Sequence, residues 1–132
     1  MDGADGEAGF RIVFTSTSGT LRAVITGFND SLETTLACWT DIIAQVQSRA
    51  SKALLVIDRT AGDPPPPRQL KQFVDTISGQ GLESIRIAYV LAETDVVSKV
   101  EVAEIHGKEA GFDVRVFASE TDAIIWLHYG IA

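Results

Sequence analysis

The stretch that most constrains this chain is ALLVID, Ala53–Asp58, in which five apolar residues in succession end in an aspartate. A strand with one solvated face alternates apolar and polar residues, whereas a strand covered on both faces is apolar throughout. ALLVID therefore predicts an interior strand of a parallel sheet. Parallel strands need crossover connections, usually helices, so helical segments are expected on either side of it in the sequence.

Apolar residues spaced three and four apart predict four such helices, one before ALLVID and three after it. Asp30 with Glu33 is close to a capping box, so we expect Asp30 to cap the first helix. Ser119 is the expected start of the last one. The predicted inward residues are Leu32, Leu36, Trp39, Ile43, Val46 and Ala50; Leu70, Phe73, Val74 and Ile77; Val96, Val97, Val100, Ala103 and Ile105; and Ala123, Ile124, Trp126 and Leu127.

Four further apolar, β-prone runs are Phe10–Thr15, Thr20–Thr26, Ile85–Leu91 and Val114–Phe117. The short linker Ser16–Gly19 predicts a hairpin between the first two. The resulting order, ββαβαβαβα, predicts an α/β fold with a mixed, mostly parallel five-stranded sheet and four helices, in which the first strand is an antiparallel edge. We expect a single domain over 10–132 after a frayed tail over 1–9.

Charge and composition exclude several classes of function. The chain of 132 residues has a net charge of −7 and no basic patch, which argues against nucleic-acid binding. It has no apolar run long enough to span a bilayer and no signal-peptide pattern at its start, so we expect a cytoplasmic protein. Cys38 is the single cysteine and has no partner for an internal disulfide.

Three stretches resemble one known group of small bacterial domains, the SpoIIAA-like or STAS-like (STAS/SEC14-like) domains. They are ALLVID with its following loop, IRIAYVLAE, and GFDVRVFASETDAIIWL. The resemblance implies a regulatory module. In the anti-sigma-factor antagonists of this fold, a serine in an Asp-Ser-Ser-Gly-like segment after the third strand is phosphorylated. This chain departs from that pattern with Asp58–Asp63 (DRTAGD), where Thr60 is the sole hydroxyl and the candidate phosphosite.

The same loop is the candidate binding site. Ligands of parallel sheets bind beyond the carboxyl ends of the strands, and the helix after Pro64–Pro67 adds free N–H groups there. The candidate partner-binding or ligand-binding residues are Asp58, Arg59, Thr60, Asp63, Arg68 and Glu93. A purely structural interpretation stays open, since the prolines stiffen a connection and start a helix.

Other chemistry-bearing residues are interpreted as structural. His106 and His128 lack metal-ligand neighbours, Cys38 lacks a base, and most aromatic residues, Phe28 and Tyr129 included, are expected in the core. No nucleotide-binding or hydrolase motif occurs, so we predict no catalytic residue, metal or cofactor.

Three functions follow, in order of preference. The first is a non-catalytic STAS-like regulatory module that binds a protein partner or small ligand, with a homodimer through the edge strand Phe10–Thr15. The second is a SEC14-like carrier of a lipid or apolar small molecule, which needs a cavity; the helix stripes show no surplus of small residues, so we expect a filled core. The third is an enzyme with Asp58 or Glu93 as general base.

Overall fold

The structure, a computed structural model, describes residues 9–63, 65–91 and 94–130, without the side chains of 94–100. Over these residues the chain forms five strands and four helices in the predicted order. The strands are β1 (Phe10–Thr17), β2 (Thr20–Gly27), β3 (Ala53–Asp58), β4 (Arg86–Leu91) and β5 (Asp113–Phe117). The helices are α1 (Leu32–Arg49), α2 (Pro67–Ile77), α3 (Thr94–Glu109) and α4 (Glu120–Tyr129), and a short 3₁₀ turn, Leu82–Ser84, precedes β4.

The strands lie in chain order across one sheet. β1 pairs with β2 antiparallel, and the other neighbours are parallel, as the sequence predicts. The hairpin turn is tighter than expected: it consists of Ser18 and Gly19, with φ of 51° and 83°, and not of all four residues from Ser16. Two successive positive φ values suit a two-residue turn whose twist matches that of the strands, so pairing continues to Thr17.

Both faces of the sheet are covered, but unequally. Each parallel crossover advances one strand in the same direction, and right-handed crossovers then place α1, α2 and α3 on one face. Leu54 and Val56 of β3 are fully buried on that face, and Leu55 and Ile57 are buried on the other beneath α4. Strand β3 is apolar throughout because both of its faces are covered by helices.

The N-cap of helix α1 lies one residue later than predicted. Ser31, not Asp30, is the N-cap, and its Oγ accepts a hydrogen bond from the Thr34 backbone N–H at 3.1 Å. The inward stripe is rotated accordingly: Cys38 and Ile42 are deeply buried, while Leu36 is half-buried. Either polar residue is a competent cap, so the packing of the helix on the sheet decides between them.

Five residues assigned to the core are exposed, Ala50 and Ile124 among them. Phe28, one residue past the end of β2, is 52% exposed, Tyr129 at the end of α4 is 73% exposed, and Ile105 on α3 is 57% exposed. Phe28 and Tyr129 lie at or beyond element ends, where periodicity no longer fixes which way a side chain points. The expectations for Val96, Val97 and Val100, and for the tail before Gly9, fall outside the described part of the structure.

Helix α2 begins as the proline run suggests. Pro67 is its first residue and Pro66 its N-cap, and the Pro66 carbonyl accepts hydrogen bonds from the N–H groups of Gln69 and Leu70. A proline at the first helical position loses nothing, because its missing N–H would have no helical partner there. Within the described ranges no helix is both long and apolar enough to cross a membrane.

Candidate functional site

The segment after β3 is held against the segment after β2. The Ala61 N–H donates to the Gly27 carbonyl, and the Asn29 N–H donates to the Ala61 carbonyl, both at 2.8 Å. The Arg59 N–H donates to the Ile25 carbonyl at the same distance. The loop therefore prolongs the parallel pairing beyond the sheet and forms a fixed rim at the carboxyl ends of the strands.

Gly62 is needed for this close approach. Its φ is +107°, and a Cβ placed on it would lie 2.5 Å from the Asn29 carbonyl oxygen. A side chain at this position would be strained and would clash with backbone. Asn29 is itself fixed, since its side-chain amide donates to the Thr35 hydroxyl at 2.9 Å at the start of α1.

Asp58 is the centre of a hydrogen-bonded cluster at this rim. Its Oδ1 accepts from the Thr60 backbone N–H at 2.9 Å and from the Thr60 hydroxyl at 2.6 Å. Its Oδ2 accepts from the phenol of Tyr89 on the neighbouring strand. Charge-assisted hydrogen bonds are stronger than neutral ones, so this cluster fixes the beginning of the loop.

Aromatic and thiol groups surround the Tyr89 ring. Trp39 stacks on Tyr89 with 6.1 Å between ring centroids and contacts Phe73 edge-on at 5.6 Å. Burial, together with the Asp58 charge and hydrogen bond, raises the pKa of Tyr89 well above its ordinary value. Burial, and then the charge of Asp58, raises the pKa of the Cys38 thiol to about 12, so both groups stay protonated at neutral pH.

A cavity of about 410 Å³ opens behind this cluster, between the sheet and α1, α2 and α3. The expectation of a filled core is therefore wrong. Two small residues of α3, Ala103 and Gly107, lie one turn apart on the face of the helix that lines the cavity. Gly107 lies inside α3 and is buried.

The predicted site residues divide into three groups. Asp58, Arg59 and Thr60 lie together on the cavity wall. Asp63 and Arg68 are exposed on the rim outside it. Glu93 lies outside the residues that the structure describes, although the strands that precede it and Asp58 are adjacent, as expected.

Two residues of the site were missed. Tyr89 was assigned to the core because strand IRIAYVL reads as buried throughout, and only the register between β3 and β4 shows that its hydroxyl reaches Asp58. The second is Asn29, which lies just beyond β2 and lines the cavity. No group of three or more His, Cys, Asp or Glu side chains that could hold a metal ion occurs among the described residues.

Comparison with known proteins supports the architecture. A crystal structure described as an anti-sigma factor antagonist from Mycobacterium paratuberculosis superposes with a TM-score of 0.61 at 14% sequence identity, covering 92% of this chain and 96% of the other. This likeness establishes the fold and confirms the SpoIIAA-like, STAS-like architecture expected from the sequence. No family model matches the sequence, and no curated protein matches it significantly.

Proposed function

We propose that this chain is a non-catalytic STAS-like regulatory module that acts by binding a protein partner. The observation that carries the proposal is a fold shared over 92% of the chain with a protein described as an anti-sigma factor antagonist. A partner of the anti-sigma-factor type is the corresponding candidate. Fold alone does not determine function, so the rim must also provide a suitable surface.

The rim offers a protein-binding surface, which we define as Phe28, Arg59, Asp63 and Arg68. Phe28 is 52% exposed, and its backbone is paired with Ala61 of the loop, so the ring is presented from a fixed position. The other three residues are exposed on the same loop or in the first turn of α2. Protein interfaces are enriched in aromatic residues and arginine, and this combination on rigid backbone favours partner binding.

The hydrogen bonds of Asp58 favour a role in positioning the loop over a role as a catalytic base. Both carboxylate oxygens already accept hydrogen bonds from Thr60 or Tyr89. The three bonds fix the loop and leave one acceptor position, on Oδ2, which can receive a ligand hydrogen bond without proton transfer. If a substrate screen nevertheless detects turnover, its loss in Asp58→Asn would favour the enzymatic alternative.

Thr60 is the proposed point of regulation. Its hydroxyl lies 2.6 Å from Asp58 Oδ1, so phosphorylation would remove this donor and bring about two negative charges up to a carboxylate. Repulsion between them would release the start of the loop and alter the rim surface. Phosphoproteomics of the chain recovered from its own cells tests this: Thr60 is expected among the modified residues, and an unmodified Thr60 under all growth conditions would contradict it.

The protein-partner proposal is tested by affinity purification from those cells. The unmodified chain should retain one partner specifically, and Phe28→Ser should lose it. Ile125→Ser is the matched control, because Ile125 is a similarly exposed apolar residue, at 46%, on helix α4. A partner retained by Phe28→Ser, or no specific partner at all, would contradict the proposal.

We also propose that two copies associate through β1. Among the residues that the structure describes, this eight-residue strand pairs with β2 alone, and an open edge of this length can pair with a second copy about a twofold axis. Analytical ultracentrifugation should show a dimer that Ser16→Pro converts to a folded monomer, because the Ser16 N–H faces the open edge and not β2. A monomer for the unmodified chain at high concentration would contradict this.

A further inference from the structure

We propose that the cavity between the sheet and helices α1, α2 and α3 binds a small amphiphile that has a hydrogen-bond donor and no negative charge. Its apolar body would occupy the cavity and its donor would meet Asp58. This site shares Arg59 with the rim surface proposed to bind a protein, but it does not depend on that function.

The size of the cavity suits a small molecule. Its volume is about 410 Å³, within the range of roughly 300–1,000 Å³ that ligand pockets occupy. The lining includes the rim residues Gly62 and Thr60 as well as deeply placed residues, so the cavity is reached from the carboxyl ends of the strands. A ligand would enter beside the loop and extend inward along the sheet.

The wall of the cavity is largely apolar and comes from separate elements. Trp39 belongs to α1, Leu70 and Val74 to α2, and Val114 and Val116 to β5. The first three are buried, and the two valines are half-buried. Covering this surface with an apolar ligand body would stabilise the complex by about 25 cal/mol per Å² of apolar area removed from water.

The charges around the cavity select against anions. Asp58 and Glu104 both line it, against one described cation, Arg59. Glu104 is already engaged, since its Oε1 accepts from the Val116 N–H at 2.6 Å and its Oε2 lies 3.5 Å from Lys108 Nζ. A ligand carboxylate or phosphate would therefore approach two negative groups, and like charges at short range are destabilising.

Asp58 has the capacity to accept one more hydrogen bond. Each oxygen of an ionised carboxylate has two acceptor positions. Oδ1 uses both for Thr60, whereas Oδ2 has the Tyr89 phenol as its described donor. The remaining position on Oδ2 matches a ligand hydroxyl, amine or N–H group. Together with the apolar wall, this defines the ligand class.

Fluorescence titration with N-phenyl-1-naphthylamine, an uncharged aromatic amine with one N–H, tests the proposal. We expect saturable binding with enhanced emission. Decan-1-ol and decylamine should displace the probe, and decanoate of the same chain length should need at least about tenfold higher concentration. Absence of saturable binding would overturn the site, and displacement by decanoate as effective as by decan-1-ol would overturn the ligand class.

Two variants locate the site. Ala103→Phe places a ring in the cavity and should weaken probe binding by at least about tenfold. Ala37→Phe, on the exposed side of α1, is the matched control and should bind as the unmodified chain does. Equal binding by the two phenylalanine variants would overturn the location.

Asp58→Asn gives an independent measurement that does not depend on filling the cavity. It removes the charge but retains an acceptor, so the affinity for decylamine should fall by about tenfold while that for decan-1-ol changes little. An unchanged decylamine affinity would overturn the role of Asp58.

Discussion

The Tyr89 phenol on β4 donates a hydrogen bond to the carboxylate of Asp58 on β3. The two residues are diagonal neighbours, because Val56 lies opposite Tyr89 and Asp58 lies opposite Leu91. This contact joins the interior of the sheet to the functional loop: the ring of Tyr89 packs on Trp39, while its hydroxyl fixes the residue that anchors Thr60. A substitution of Tyr89 or Asp58 should therefore alter the environment of the other residue.

Tyr89→Phe should destabilise the fold by about 1–3 kcal/mol, the usual cost of losing a hydrogen bond to a charged group. The aromatic packing on Trp39 is preserved in this variant, so the loss reports the hydroxyl. Urea unfolding followed by far-ultraviolet circular dichroism measures the change. Tyr129→Phe is the control, since Tyr129 is 73% exposed, and it should have little effect. Equal stability of the two variants would show that the contact with Asp58 contributes nothing.

Stability should also depend on pH through Tyr89. The pKa of this phenol is raised in the folded state above its ordinary value of 10.0, by burial and then by the negative charge of Asp58. The stabilisation is therefore fully present below pH 10.0 and is lost as the pH rises from there toward the folded-state pKa. Urea unfolding at increasing alkaline pH should show this decline in the unmodified chain and a smaller one in Tyr89→Phe.

Ultraviolet titration gives a direct check on the same group. The chain has two tyrosines, so in Tyr129→Phe the tyrosinate absorbance belongs to Tyr89 alone. Folded protein should show no tyrosinate signal at pH 10.0, whereas the urea-unfolded chain should be about half ionised there. Half-ionisation in the folded protein at this pH would contradict the packing of Tyr89 on Trp39 and its hydrogen bond to Asp58.

Cys38 should be almost unreactive in the folded protein. Its thiol is buried, and its pKa is raised from 9.0 to about 12, first by burial and then by the charge of Asp58. Such a shift lowers the thiolate fraction by about a thousandfold at pH 8, and the thiolate is the reactive form. An aromatic disulfide reagent should therefore modify the folded chain at least about a thousand times more slowly than the unfolded chain. Rapid modification of folded protein would contradict this environment.

Gly62→Ala should destabilise the fold by about 3 kcal/mol, because it combines an unfavourable positive φ with a backbone clash. Gly79→Ala is the matched control: Gly79 also has a positive φ, of +81°, but nothing lies within 4 Å of its Cβ position. It should cost about 1 kcal/mol. Thermal unfolding of both variants separates the cost of the clash at Asn29 from the cost of backbone strain. Similar losses of stability in the two variants would show that the loop moves away and relieves the clash.

Ser31→Ala should cost about 1 kcal/mol of stability, because the Thr34 N–H loses its capping partner. Asp30→Ala should cost much less, since Asp30 precedes the cap and is exposed. Urea unfolding of the two variants compares the residues directly. A larger loss of stability for Asp30→Ala would show that Asp30 is the N-cap, as the capping-box pattern predicts.

Much of the architecture is predictable because single patterns determine it. ALLVID is apolar on both faces and can only be an interior strand, and the helical stripes on either side require crossovers. Leu70, Phe73, Val74 and Ile77 are all buried as their spacing predicts. Asp58 was located at the rim for the same reason, since the exits of parallel strands gather at one edge.

The remainder depends on contacts between elements. Whether Tyr89 reaches Asp58 is decided by the register of β4 against β3, which neither strand encodes alone. The cavity depends on how α3 lies against the sheet and on Ala103 and Gly107 facing inward together. Phe28 follows β2, its backbone is held by Gly9 and Ala61 from other segments, and its side chain is exposed. Periodicity within one segment contains no information on such relationships.

The two-residue hairpin lies at the end of the sheet opposite the rim, because β2 starts there and its carboxyl end runs toward Asn29. The turn is held in place, since the Gly19 carbonyl accepts a hydrogen bond from the Lys52 N–H at 2.8 Å. Ser18→Cys would give this chain a solvent-accessible thiol in addition to the buried Cys38. A fluorophore coupled selectively at that turn would report tumbling and complex formation while leaving the opposite edge unobstructed.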